Sequence, residues 1–272
     1  MQFVKISSQH EIAGCGFAGN IFITLNGLTY LNNDDTLYVD METYECICTE
    51  NDIYLHDTNN SWEYYFDQVK INEGDEVVSN MTSLMAGNLS YHNPDVYLYP
   101  ENFVELKNKF NHSFKMKPYL KEIIDGYYDE NIKGKVTLGV QVRLTDMLFH
   151  HKVSKLDVYV NKINGILSEN STIEQIFLAT DDWLVVYELR EKLSIPILCY
   201  EDMFRADAKN RHEQPYDRLH DDRELHRYKI GVECMEEIFT LTKCDYLLKA
   251  HISSVSIVAS ILSENIKKIY KL

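Results

Sequence analysis

The chain is short of positive charge, of proline and of paired cysteine, and each shortage removes a class of function. Twenty-seven Lys and Arg stand against 42 Asp and Glu in 272 residues, a formal net charge of −15. So acidic a protein is repelled by a phosphate backbone and gains nothing from an anionic bilayer, so nucleic acid is not expected as a partner. An anionic ligand would need a local basic cluster. No apolar run approaches the length of a membrane span, and the opening Met-Gln-Phe-Val-Lys-Ile lacks the long apolar core of a leader. Stable membrane insertion is therefore not expected either. The six cysteines (Cys15, Cys46, Cys48, Cys199, Cys234, Cys244) show no C-x-x-C spacing. They read as reduced thiols, which points to a cytoplasmic protein. Proline is limited to five residues, and no low-complexity linker or internal repeat is visible. What remains is a globular composition, 45% hydrophobic and 25% charged, enough for one large domain or two of ordinary size. The 19 Tyr and 11 Phe suit saccharide or nucleotide surfaces and plain packing equally.

The two halves differ in regularity. Up to residue 133 there are short apolar runs (Phe3–Ile6, Thr36–Val39, Val96–Leu98) among Asn- and Asp-rich segments, with one good helix over 15–32, where Phe17, Ile21, Leu25 and Leu28 recur at helical spacing. After Gly134 strands are expected at 136–142, 174–179, 195–200, 245–249 and 267–270. Helices are expected between them at 155–168, 183–193, 229–243 and 254–264. That alternation predicts an α/β fold with a parallel sheet covered on both faces. The charged stretch 203–226 reads as a long loop with short helical pieces. The boundary is placed near 130–135, giving an acceptor-side domain over 1–133 and a donor-binding domain over 134–272.

Three constellations carry chemistry. Val136–Asp146 is an apolar strand that ends by delivering Arg143, Thr145 and Asp146, and ligands of open α/β sheets lie outside strand carboxyl ends. An arginine there can fork onto a phosphate or carboxylate, or form an ordinary ion pair with Asp146. Gln175–Trp183 ends in Thr180, Asp181 and Asp182. Thr180 or Asp181 could cap the next helix with Asp182 complementing its dipole, or the paired carboxylates could hold a divalent ion, but no third ligand stands at useful spacing. Asp245–Ser260 reads as strand, loop and a helix starting at Ser253 and Ser254, where hydroxyls and unpaired N–H groups could seat a phosphate or simply cap the helix. A fourth segment, Gly14-Cys-Gly-Phe-Ala-Gly19 with Asp40 downstream, spells the dinucleotide pattern. The strand before it stops well short of Gly14.

Taken in order, Gln141–Asp146, Ala179–Asp182, Leu219-His220 before Gly231-Val232, Glu237, and Ser253-Ser254 resemble the donor-binding half of GDP-fucose-dependent fucosyltransferases, nearest the α-1,6- and nodulation fucosyltransferase group. The helix opening Gly14–Asn20 and Thr36–Asp40 resemble that group's glycine-rich start. The resemblance covers most of 134–262 and faintly 12–45. The departures are Gln141 for a histidine, Leu144 for a second arginine, and His150 and His151 where an acidic residue is expected beyond Asp146.

The resemblance implies two Rossmann-like lobes of GT-B type and an inverting transfer of a sugar, fucose or another, from a GDP-sugar to a saccharide hydroxyl, without a cofactor or a metal. It places Arg143 on the pyrophosphate, with Gln141, Asp181, Asp182, His220, Glu237, Ser253, Ser254 and Gly16 around the nucleotide and Arg143, Asp146 and His151 at the reaction centre. Glu237 would accept from guanine or ribose. For the base, an imidazole suits proton removal from a hydroxyl near neutrality, which nominates His151 and then His150. Two other readings stand beside it: a nicotinamide-dependent oxidoreductase using Gly14, Gly16, Gly19 and Asp40, and a catalytically silent sugar-nucleotide binder.

Overall fold

In a computed structural model of the chain, the residues described are 2–7, 16–31, 35–41, 55–81, 89, 94–144, 155–205, 222–250 and 253–272. The first half is built on a three-stranded parallel sheet. Strand β1 (Gln2–Ser7) leads through helix α1 (Phe17–Leu28) to β2 (Asp35–Asp40), and β4 (Glu76–Met81) joins the other side, in the order β2-β1-β4. The expected helix over 15–32 is thus α1, which begins at Gly16 and is buried on every side, as an all-round apolar helix must be. A small antiparallel pair, β3 (Phe66–Gln68) with β5 (Phe114–Met116), flanks it. Helices α2 (Val104–Ser113) and α3 (Pro118–Asn131) complete this half. Val96–Leu98 lies in a 3-10 turn, Pro94–Leu98, rather than in a strand.

The second half follows the periodicity closely. Strands β6 (Thr137–Val142), β7 (Gln175–Thr180), β8 (Ile197–Leu198), β9 (Tyr246–Lys249) and β10 (Lys268–Lys271) form one parallel sheet ordered β10-β9-β6-β7-β8. Only two residues of the expected 195–200 strand pair, because β8 is an edge with a single neighbour. Helices α4 (Leu156–Glu169) and α5 (Trp183–Lys192) cover one face; α6 (His226–Leu241) and α7 (Ser254–Leu262) cover the other. This follows from handedness. Right-handed crossovers leaving β6 in one direction and returning to its far side must place their helices on opposite faces.

Helices α6 and α7 also serve the first half. Met235, Ile238, Ile257, Val258, Ile261 and Leu262 join the core that holds Phe17, Ile21, Trp62 and Phe66, while Leu241 and Ala259 pack towards the second sheet. Gly231 marks the closest approach. A Cβ there would lie 2.0 Å from the hydroxyl of Tyr65, which donates to the Tyr228 carbonyl at 3.1 Å. Tyr65 is wholly buried and stacks on Tyr228, so it has no room to yield.

Gly231→Ala is therefore expected to destabilise the protein by about 1–3 kcal/mol, the usual cost of overpacking, despite alanine's better helix propensity. Denaturant unfolding measures it; an alanine variant as stable as the parent would refute the contact.

Candidate functional site

The chain winds outward from β6 through β7 to β8, then crosses back to lay β9 on the other side of β6. The helices that follow β6 and β9, α4 and α7, lie on opposite faces of the sheet, so the carboxyl ends of these two strands form the switch point at which open α/β sheets take ligands. Four side chains at these strand ends hold buried polar atoms with no hydrogen-bond partner: Gln141 Oε1, Thr180 Oγ1, Lys249 Nζ and Ser253 Oγ. They are at most 3% exposed. Folded proteins rarely leave such atoms unsatisfied, and a cluster of them at one sheet end is what a polar ligand would complete.

Each position has a structural origin. On β6, Leu138, Val140 and Val142 point into the α4–α5 core, so alternation turns Gly139 and Gln141 to the α6 side. Gly139 sits opposite Leu247 and Val140 opposite Leu248, so the next rung of the ladder brings Gln141 beside Lys249. Arg143 follows β6 directly and is half-buried, whereas Leu144 is buried in the apolar core. Ser253 is the N-cap of α7 in an extended conformation, yet its hydroxyl makes no capping bond. Ser254 opens the helix. The pair therefore stands at the helix mouth as anticipated, with the capping duty left undone.

The two aspartates after β7 separate. Asp182 is fully buried, caps α5 and accepts from the Leu184 amide at 2.8 Å. Asp181 is half-buried. Among the described residues no three His, Cys, Asp or Glu side chains gather as metal ligands. Glu237 is turned inward but is already engaged. It accepts from the Thr180 amide at 3.0 Å and lies 3.5 Å from the Arg205 guanidinium. Arg205, which the sequence reading left inside a long loop, is the hub here. It donates to the carbonyls of Thr180 at 3.0 Å and Tyr200 at 2.6 Å, and lies over Trp183 at 4.7 Å. Together Arg205 and Glu237 hold the end of β7 against α5 and α6. The next carboxyl on α6, Glu236, is pushed up to about 7 by burial and by Glu233 and Glu237 beside it.

Gly16 caps α1 through its backbone carbonyl, with no side-chain bond. At the end of β2, Asp40 is buried and paired with Lys5 across the sheet, so its carboxylate is not offered to a ribose as the oxidoreductase reading requires. Asp146, His150, His151 and His220 lie outside the described residues, as does Gly14.

Where the halves meet, His56 Nε2 lies 3.2 Å from the hydroxyl of Tyr228, and its ring stacks on Tyr119 at 5.5 Å. His56 and Asp57 are left-handed, with φ of 54° and 60°, as is Leu225, at 51°, just before α6. His and Asp are among the side chains that adopt that conformation more readily, whereas a bulky leucine there is an outlier.

No protein-family model matches the chain, and no curated protein matches it at the level of sequence. Solved structures do. The α-1,6-fucosyltransferase NodZ co-crystallised with GDP superposes with a TM-score of 0.58 at 13% identity, over 96% of this chain and 92% of its own; NodZ is also solved as the Bradyrhizobium enzyme. POFUT1 in complex with GDP-fucose gives 0.51 at 10% identity, over 99% and 97%. At such identities the likeness establishes the fold: two Rossmann-like sheets in the arrangement of GT-B fucosyltransferases, spanning nearly the whole chain.

Proposed function

We propose that the protein is an inverting glycosyltransferase that moves a sugar, fucose first among the candidates, from a GDP-sugar to a saccharide hydroxyl. The observation that carries this reading is the row of unsatisfied buried polar atoms at the β6–β9 switch point, in a fold shared with enzymes crystallised with GDP and GDP-fucose. Nothing comparable supports the oxidoreductase alternative.

In this proposal Arg143 and the helix mouth at Ser253 and Ser254 receive the diphosphate. A glycosyl transfer expels that group as charge builds on it, so preorganised donors there act on the transition state more than on the ground state. Gln141 bonds the nucleoside, and Asp181 and His220 border it. Glu237, already tied to Thr180 and Arg205, acts by shaping the wall beside the nucleotide. Asp146 and His151 complete the reaction centre, with His151 taking the proton from the acceptor hydroxyl. The first half, whose His56 and Tyr119 rings meet Tyr228 of α6, faces a saccharide or glycoconjugate acceptor. The step needs neither cofactor nor metal ion. No described helix is long and apolar enough to cross a membrane. The reduced, buried thiols of Cys199 and Cys244 support a cytoplasmic setting for glycan synthesis.

GDP and GDP-fucose are expected to raise the melting temperature by several degrees at saturating concentration, and NAD to leave it unchanged. A shift with NAD alone would overturn the proposal. Arg143→Ala is expected to weaken GDP binding roughly ten- to hundredfold, the loss of a charge-assisted pair, with the apo melting temperature unchanged. Calorimetry showing parental affinity would remove Arg143 from the site. His151→Ala is expected to retain GDP binding and lose transfer; transfer kept across neutral pH would exclude it as the base. GDP binding with neither transfer nor hydrolysis of any GDP-sugar would leave the protein a silent binder.

A further inference from the structure

Lys249 is the one lysine of the second sheet buried without a partner. Its side chain is fully buried and its Nζ makes no hydrogen bond. Burial pushes its pKa down to about 8. An ammonium in that state is costly to a fold, and chains keep one when an anion completes it. Its place in the topology says which anion. Lys249 ends β9, one rung beyond the last β6–β9 pair, Val140 with Leu248, as Gln141 is on β6, and it stands shortly before Ser253 at the mouth of α7 in sequence. Lys249, Gln141 and Ser253 all hold unsatisfied buried polar atoms, and all three stand at the switch point where an open α/β sheet takes its ligand.

Among the described residues, Asp95 is the one acid that favours that charge. Lys271, its ladder partner on β10, is ion-paired with Asp95 on the turn Pro94–Leu98. The same turn lays the ring of Tyr97 5.9 Å from Nζ. Helices α1 and α7 carry no titratable residue. On α6, Glu233 and Glu237 are held by Arg223 and Arg205, while Glu236 is raised to about 7 by its own burial. Leu144 turns into the apolar core, so the end of β6 supplies one cation, Arg143.

We infer that Lys249 is a second cationic ligand of the diphosphate, reaching it from β9 while Arg143 reaches it from β6. This rests on the donor-site reading above and adds to it a residue with a definite signature. Lys249 is partly neutral in the free protein above pH 8. Placing a diphosphate beside it raises its pKa, so GDP binding takes up a proton there.

The test is calorimetry of GDP binding at pH 8.5 in two buffers of different ionisation enthalpy. The diphosphate is fully ionised at that pH and an ordinary histidine is already neutral there, so uptake that disappears with the lysine reports its amine. The parent is expected to take up a substantial fraction of a proton. Lys249→Met, which keeps the aliphatic stem, is expected to lose the uptake and bind GDP at least tenfold more weakly. It should still bind guanosine as the parent does, and melt higher without ligand. Lys249→Gln serves as the second neutral variant. Equal GDP affinity in parent and variants, or no proton uptake by the parent, would overturn the role of Lys249 and leave the donor site standing. A parent that does not bind GDP would overturn the donor-site reading, and this inference with it. If neither variant folds, uptake by the parent supports the assignment and its absence refutes it.

Discussion

The reversal of winding direction at β6 is the constraint on which the site depends. A strand with parallel neighbours on both sides and helices on both faces can be apolar along its whole length, and β6 nearly is. Its polar side chains stand towards its two ends, Thr137 at the amino end and Gln141 near the carboxyl end. Because β7 lies on one side of β6 and β9 on the other, the switch point falls between β6 and β9, and Gln141, Lys249 and Ser253 stand at these strand ends and at the helix start that follows. Gln141 is far in sequence from Lys249 and Ser253, and no side-chain bond joins the three. What unites them is the order of strands.

Helices α6 and α7 turn this switch point into part of a two-sided molecule. Each is apolar enough to face two cores at once, the second sheet on one side and α1 with the aromatic cluster on the other. Tyr65 pressed against Gly231 fixes how near the first half may come. Arg205 and Glu237 fix the far wall, by joining the end of β7 to α5 and α6 through bonds to Thr180, Tyr200 and each other. The site is therefore bordered by contacts that are themselves buried and rigid, which suits a chemistry whose main demand is preorganised charge.

Legibility in the sequence tracked the range of the interaction involved. Strands β6, β7, β9 and β10 and helices α4 to α7 could be read because a two-residue or 3.6-residue period in apolarity is local information. A cap at the start of α5 could be read because capping is local too, but it was expected at Thr180 or Asp181, and the structure gives it to Asp182. In the first half α2 and α3 escaped notice: their apolar faces are narrow, with Leu106 and Phe110 buried on α2 and Leu120 and Ile124 on α3. Arg205 and the pairing of Asp40 with Lys5 were also invisible, since each joins segments whose proximity no spacing encodes. Lys249 was passed over for the same reason. In a string it is the last residue of a strand, and only the ladder puts it beside Gln141.

The sequence by itself determined the fold class, the succession of strands and helices after Gly134, and the polar strand ends and helix starts available for chemistry. These depend on hydrophobic periodicity and on residue types that end an element, both properties of neighbours along the chain. Tertiary structure decided which of those ends meet. Strand order set the switch point between β6 and β9, burial made Lys249 costly without an anion, and close packing made Gly231 the hinge point of contact between halves. Those outcomes depend on distances between residues remote in the chain, and only folding sets such distances.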